Sequence, residues 1–382
     1  MSEFKSSNFI NEDNSGGPDL VGVTSFTSPY YFVPPSGTTA ERPSGDGLAP
    51  GMLRFNTDIG RLETWRGDHW ATILGESPNL NGGARMVIGG GSQPTNPNAN
   101  IDYINIATLG NSLSFGTLFA GRYACTTVAS STRAVWGGGW TGGSSNILDF
   151  VTISSTGNAQ DFGDLNPAIY GPLSCSNSTR GIFGGAYGPG PSQSTVGPID
   201  YITIASTGNA QDFGEGSLNY GGASCASSTR GVFAGGRLRA TNAAVNTITF
   251  VTISTTGNAI RFGDLVFTGR YSCGCSNSTR GVFFGNFNNP AYVNNIDYIT
   301  IATTGNAQDF GDLAINFGGS MNASCSSTRA LIAGGGTAGG TQPNQNTIQY
   351  ITITSTGDSL DFGDLRENRA LGGSASNAHG GL

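Results

Sequence analysis

The most regularly spaced carboxylates in this chain occur in the run Asp-Phe-Gly-Asp, which pairs Asp161 with Asp164, Asp309 with Asp312 and Asp361 with Asp364. Carboxylate oxygens at such spacing are ligands that Ca²⁺ accepts. The same register holds Ser114 in one copy and Arg261 in another, which favours solvated or capping groups over a metal site. The two histidines, His69 and His379, stand far apart. No phosphate-binding loop, HExxH pair or nucleophile elbow occurs. A recurrent Ser-Thr-Arg offers guanidinium groups that suit either an anion or fork-shaped bonds to neighbouring carbonyls, and the second option needs no ligand. Five cysteines, Cys125, Cys175, Cys225, Cys275 and Cys325, sit in the same part of successive repeats, with Cys273 as an extra. Ala375 takes that place in the last copy, so the position reads as a small buried side chain rather than a bridge or a metal ligand. The expectation is a protein with no catalytic residues, no cofactor and no metal.

The elements that position these groups repeat. Arg85, Arg133, Arg180, Arg230, Arg280 and Arg329 mark units 47 to 50 residues apart. A fixed period of this size implies a propeller, a solenoid or an array. Each unit holds four strand-like segments: in the fourth these are residues 223–226, 231–234, 248–253 and 259–262. Ser228-Thr229-Arg230 reads as the turn joining the first pair and Thr256-Gly257-Asn258 as the turn joining the last. Hairpin turns imply antiparallel blades rather than the parallel coils of a solenoid. Glycine is unusually abundant, at 61 of 382 residues, and charged residues make up only 11 %, as suits many short strands.

The unit resembles the kelch repeat. A small-residue strand comes first, then an apolar strand ending in a Gly doublet such as Gly138-Gly139 or Gly235-Gly236. An aromatic follows on the third strand (Phe150, Tyr201, Phe250, Tyr298, Tyr350). Phenylalanines 162, 213, 262, 310 and 362 replace the tryptophan usual in kelch, and Gly285-Asn286 breaks the doublet. The resemblance implies architecture and no activity. The first copy starts at its second strand, Met86–Gly89, and the chain finishes with an orphan first strand, Gly373–Asn377. The expected fold is therefore all-β: a six-bladed kelch-like β-propeller over residues 79–382, closed by the C-terminal strand. A flexible N-terminal arm (1–24) and a small β-meander domain (25–78) precede it.

Residues 36–75 resemble a module of fibre and other virion proteins of tailed bacteriophages. The matching stretches are Thr39-Ala40-Glu41-Arg42-Pro43, then Gly51-Met52-Leu53-Arg54-Phe55-Asn56-Thr57-Asp58, then Trp65 and Trp70. The Asn-Ala-Gln-Asp-Phe-Gly-Asp repeats resemble structural proteins of phages that infect cyanobacteria. These resemblances imply a virion component, assembled in the host cytoplasm and attached to other virion proteins through its N-terminal region. Tyr30, Tyr31, Phe32, Trp65 and Trp70 are the candidate attachment residues.

Two kinds of connection alternate along an up-and-down blade and emerge on opposite faces. Ser-Thr-Arg and Thr-Gly-Asn barely change from copy to copy, whereas the other connections differ in length and chemistry. The irregular face supplies candidate recognition residues: Trp140, Tyr170, Tyr187, Tyr220, Arg237, Arg239, Tyr271, Phe287, Tyr292 and Phe317. Loops that drifted under weak constraint from solvent are the alternative. The expected function is a non-enzymatic, fibre-type structural protein whose propeller recognises a host-surface glycan or protein. Homo-oligomerisation is compatible with this. A capsid or tail decoration protein without host binding is the second reading. A polysaccharide-degrading propeller enzyme is the third, and the scarcity of Asp and Glu in the irregular loops weighs against it. A net charge of −7 argues against a nucleic-acid partner, and no apolar stretch is long enough for membrane insertion.

Overall fold

The computed structural model describes residues 34–45, 47–73, 84–92, 96–185, 197–216, 219–238, 241–288, 291–315, 321–336 and 345–382. All regular structure among them is β-strand. The chain divides into two compact units, Met1–Ser77 and Pro78–Leu382.

In the first unit, β1 (Ser36–Gly37), β2 (Leu53–Asn56), β3 (Arg61–Trp65) and β4 (Trp70–Thr72) form one sheet in chain order. The last three strands make the expected meander, and β1 adds to it in parallel with β2. One face of this sheet is built on a buried carboxylate, Glu63, which accepts hydrogen bonds from Arg42, from Arg54 Nη1 at 3.1 Å and from Asn56 Nδ2 at 3.1 Å. The Arg42 hydrogen bond is the largest influence holding Glu63 below the usual carboxylate range. Arg42 and Arg54, which lie in the two matched stretches of this segment, are thus the counterions of Glu63.

The second unit consists of four-stranded antiparallel sheets. The first joins β5 (Arg85–Gly89), β6 (Asn100–Asn105) and β7 (Leu113–Thr117) to β28 (Gly373–Ser376), in the order β28-β5-β6-β7. The second holds β8 (Thr126–Ala129), β9 (Arg133–Gly137), β10 (Ser145–Thr152) and β11 (Gln160–Ile169). The third holds β12 (Leu173–Ser176), β13 (Arg180–Gly184), β14 (Gly197–Thr203) and β15 (Gln211–Gly216). The fourth holds β16 (Ala223–Ala226), β17 (Arg230–Ala234), β18 (Val245–Thr252) and β19 (Ile260–Gly269). The fifth holds β20 (Cys273–Ser276), β21 (Arg280–Asn288), β22 (Ala291–Thr300) and β23 (Gln308–Asp312). The sixth holds β24 (Asn322–Cys325), β25 (Arg329–Gly335), β26 (Gln345–Thr352) and β27 (Leu360–Asp364). This architecture is β-propeller-like. Met86–Gly89 pairs antiparallel with the returning Gly373–Ser376.

Three joints connect each sheet to the next. Apolar clusters are shared between neighbours, as in Val135, Leu148 and Phe162 of the second sheet with Phe183 and Ile202 of the third. Met86, Ile88 and Ile104 cluster in the same way with Leu331, Ile348 and Phe362, from the first sheet to the sixth. The marker arginines form the second joint: Arg133 Nη1 donates to the carbonyls of Ile204 and Ala205, and Arg230 Nη1 to those of Ile301 and Ala302. Each arginine also lies over the third-strand aromatic of its own sheet, 4.3 Å away for Arg180 and Tyr201. Of the two roles considered for Ser-Thr-Arg, the structure displays the bonding to carbonyls.

The third joint corrects the expected role of Thr-Gly-Asn. The connection from Thr252 to Ile260 is a wide loop, not a tight hairpin turn. Its Gly257 N–H donates to the Phe213 carbonyl of the preceding sheet, and its Asn258 Oδ1 accepts the Glu215 N–H. A Cβ on Gly214 would sit 2.6 Å from the Gly257 carbonyl oxygen, so this contact requires glycine in the outer strand. A bulge at the preceding residue turns Phe213 inward. In the equivalent second-sheet run, Phe162 is buried while Asp161 and Asp164 stay exposed. The cysteines are all free and buried. Cys175 and Cys225 fit against glycines of the next sheet: a Cβ on Gly231 would lie 2.2 Å from Cys175 Sγ, and one on Gly281 2.4 Å from Cys225 Sγ. The cysteines are not all equivalent: Cys175, Cys225 and Cys275 share one register, whereas Cys125 precedes β8 and Cys325 pairs with Ala330, one residue out of step.

Candidate binding face

The segments that lead into the inner strands share one backbone feature. Ala124, Gly171, Gly221, Tyr271 and Leu371 all have left-handed φ values, between 51° and 67°. Glycine adopts that conformation without strain; alanine, tyrosine and leucine do not. In three of the five, the preceding residue is paired by two backbone hydrogen bonds with a residue at or beyond the end of the second strand. These pairs are Tyr123 with Trp140, Tyr220 with Arg237, and Arg270 with Phe287. The two irregular connections of a sheet are thereby stitched together beside the inner strand.

This stitching lines up aromatic rings. Trp140 and Tyr123 each meet Tyr170 edge to face, with centroids at 5.6 and 6.1 Å. Tyr170 and Tyr220 stack at 5.4 Å, and the Tyr220 hydroxyl donates to the Tyr170 hydroxyl at 3.1 Å. Tyr220 meets Tyr271 at 6.3 Å. Arg237 lies over Tyr220, and Arg270 lies over both Tyr271 and Phe287. Phe287 packs on Tyr292 at 4.5 Å. The glycines make room for the series: a Cβ on Gly171 would meet the Tyr220 ring at 2.2 Å.

Seven of the ten residues expected on this face are therefore brought together: Trp140, Tyr170, Tyr220, Arg237, Tyr271, Phe287 and Tyr292. Tyr187, Arg239 and Phe317 lie outside the described residues, as do Tyr30, Tyr31 and Phe32 of the attachment set. Two expectations need correction. Tyr220 and Phe287 are buried by their neighbours instead of standing free as contact residues, whereas Trp140 keeps 37 % of its surface exposed. In the small domain, Trp65 and Trp70 pack on each other at 5.6 Å, and the Trp70 indole donates to the Pro43 carbonyl. Both are half-buried. Tyr123 and Arg270 were missed as candidates, although Tyr123 occupies the repeat position of Tyr170 and Tyr220.

Beside these rings lies a cavity of about 190 Å³, lined by residues of β8, β12, β16, β20, β24 and β28. At the end where the inner strands finish, residues 379–381 lie against it. His379 Nε2 is 2.9 Å from the Ala129 carbonyl, the Gly380 N–H donates to the Ser276 carbonyl, and Gly381 packs on Ser176. Burial pulls His379 below the usual imidazole range, so it stays neutral near pH 7. At the other end, every lining residue belongs to a segment leading into an inner strand, including Tyr220, Tyr271, Met321 and Leu371. Burial also pushes the Cys175 and Cys225 thiols far above their ordinary range, so the lining cysteines are poor nucleophiles.

Farther out, the third strands carry buried acids. Asp149 pairs with Arg122, both side chains being fully buried, and Asp102 pairs with Arg366 and Arg369. Asp200 has the Asn166 N–H to offset its burial, and its pKa is pushed up to about 6. Among the described residues, no three histidine, cysteine, aspartate or glutamate side chains are grouped as a metal would need.

Comparison of the sequence with protein-family models and with curated proteins gives no match in either case.

Proposed function

We propose that this chain is a non-enzymatic virion structural protein of a tailed bacteriophage, of fibre type. In this reading residues 79–382 form a closed six-bladed, kelch-like propeller, and the N-terminal region attaches to other virion proteins. Ring closure is supported by the pairing of β28 with β5, by the apolar cluster shared between the first and sixth sheets, and by the six inner strands that line one cavity. The propeller presents its irregular face to a host-surface molecule.

One observation carries the recognition role. The nearly invariant connections are consumed in joints between sheets, while the irregular connections converge on the aromatic series from Trp140 to Tyr292. Rigid aromatics with interleaved arginines are the side chains that dominate recognition surfaces. The cavity lining carries no carboxylate among the described residues, which supports binding over glycoside hydrolysis.

The test uses the purified full chain, fluorescently labelled, with a panel of bacterial cells including cyanobacteria, and with virions. Saturable binding to cells that Trp140→Ala or Tyr292→Ala weakens, at unchanged melting temperature, is the expected result. Binding to virions without any cell affinity would instead identify a decoration protein. Wild-type cell binding by both variants would remove this face from the account.

A further inference from the structure

The cavity at the centre of the second unit has a composition that selects its occupant. We infer that it seats one neutral, hydroxyl-bearing six-membered ring, the terminal pyranose of a glycan. This inference rests on the recognition role proposed above and names the ligand class of that same face.

Size is the first argument. An apolar cavity of about 150 Å³ accepts a single benzene. The space of about 190 Å³ here admits one ring of similar girth with substituents. A folded peptide segment needs a groove, not a well of this volume.

Charge is the second. Among the described lining residues there is no aspartate, glutamate, lysine or arginine. A charged ligand would lose its hydration there without a counterion, so a uronic or sialic acid is disfavoured and a neutral sugar is not.

Unmet hydrogen bonding is the third argument, and it separates a sugar from a hydrocarbon. Thr127 Oγ1, Ser272 Oγ and Asn322 Oδ1 are buried, belong to residues that line the cavity and have no hydrogen-bond partner among the described residues. Thr127 and Asn322 are 8 % and 2 % exposed. Most other inner-strand hydroxyls are engaged: Ser174, Ser224 and Ser374 each donate to the carbonyl of a neighbouring inner strand. The three residues belong to β8, to the segment before β20 and to β24, so they come from different sheets. Rotation of these side chains toward the space lets an occupant carrying hydroxyls around its rim donate to Asn322 Oδ1 and exchange hydrogen bonds with Thr127 and Ser272. Unpaired buried acceptors reward a ligand that satisfies them and reject one that does not.

Aromatic placement is the fourth. Tyr271, held at the unfavourable φ of 62°, lines the end where the inner strands begin, together with Tyr220. Their rings offer apolar surface to the C–H face of a sugar. Tyr170 and Trp140 continue the series outward, along the path the rest of a glycan would take.

Titration of the full chain with glucose, galactose, mannose and N-acetylglucosamine, followed by calorimetry and saturation-transfer NMR, tests this, with glucuronic acid and cyclohexane as controls. Saturable binding of at least one neutral sugar and of neither control is expected. Ser272→Ala removes a hydroxyl that has no partner among the described residues; it should weaken the sugar about three- to tenfold at unchanged melting temperature. Tyr271→Gly, which suits the left-handed backbone, should weaken it about tenfold. No binding by any neutral sugar, equal binding of glucuronic acid, or wild-type affinity in both variants would each overturn the inference. If labelled protein binds cells while free sugars do not bind, the inference fails and recognition of a protein by the face stands. If sugars bind and cells do not, the inference stands and host recognition fails.

Discussion

Arg329 Nη1 donates to the carbonyl of Ile106 at 3.0 Å, across 223 residues of chain and from the last sheet to the first. The same guanidinium reaches Ala107 and lies 4.7 Å over Tyr350. Arg329→Ala should therefore cost about 1–2 kcal/mol, from charge-assisted hydrogen bonds and the cation–π contact at a half-exposed site. Deleting residues 370–382 should cost more, at least about 4 kcal/mol. It removes the strand paired with β5 and the Gly373 carbonyl that accepts the buried Trp136 indole N–H. Chemical denaturation of both proteins checks the order; an unchanged transition in the deletion would refute closure.

Ala124 holds a φ of 51° at the position where two other sheets use Gly171 and Gly221. Ala124→Gly should stabilise the protein by about 0.5–1 kcal/mol, since relief of the left-handed strain exceeds the loss of one methyl. A melting temperature below wild type would contradict this.

Asp200 carries a pKa raised to about 6, chiefly by burial, with Asp212 across the strand pair adding to the shift. A raised carboxyl pKa means that the folded state binds more protons than the unfolded one between about pH 4 and 6. Stability from this group is therefore full at low pH and falls as pH rises through that window. Asp200→Asn keeps an acceptor for the Asn166 N–H and abolishes the fall, so the variant should gain on the order of 2 kcal/mol over wild type at pH 7 and little at pH 4. Parallel pH-stability curves would exclude it.

Glu63 behaves oppositely. Its pKa is lowered, first by the Arg42 hydrogen bond, so its contribution is present above the ordinary glutamate value and is lost as pH falls through the lowered one. Glu63→Gln should destabilise the small domain by about 3 kcal/mol at pH 7, because it leaves buried Arg54 without its counterion. The loss should shrink below pH 4. Far-ultraviolet spectroscopy of the full chain, with tryptophan fluorescence for Trp65 and Trp70, reads it.

Much of this was legible in the sequence. The period announced repeated four-stranded units, and the orphan first strand at Gly373 announced its partner at Met86. The marker arginines allow an anion site or bonds to neighbouring carbonyls, and the structure displays the second; the recurrent cysteines read as packing residues because alanine replaces one. What escaped depends on neighbours distant in the chain. Thr-Gly-Asn resembles a local turn, yet its Gly and Asn bond the previous sheet, which no short window reveals. The bulge that separates Asp161 from Asp164 around Phe162 arises from the mismatch between two strands. The unpaired atoms of Thr127, Ser272 and Asn322 are unremarkable in sequence, because only the fold buries them and brings their residues around one shared space.

The joint made by Gly214 against Gly257 has a counterpart at each boundary, from Gly116 on Gly157 to Gly363 on Gly110. Because every boundary uses the same fastening, a unit transplanted from one position to another meets compatible partners on both sides. Such a molecule can be rebuilt by exchanging whole cassettes. The irregular loops then travel with the exchanged unit, while the joints that carry it stay the same by construction.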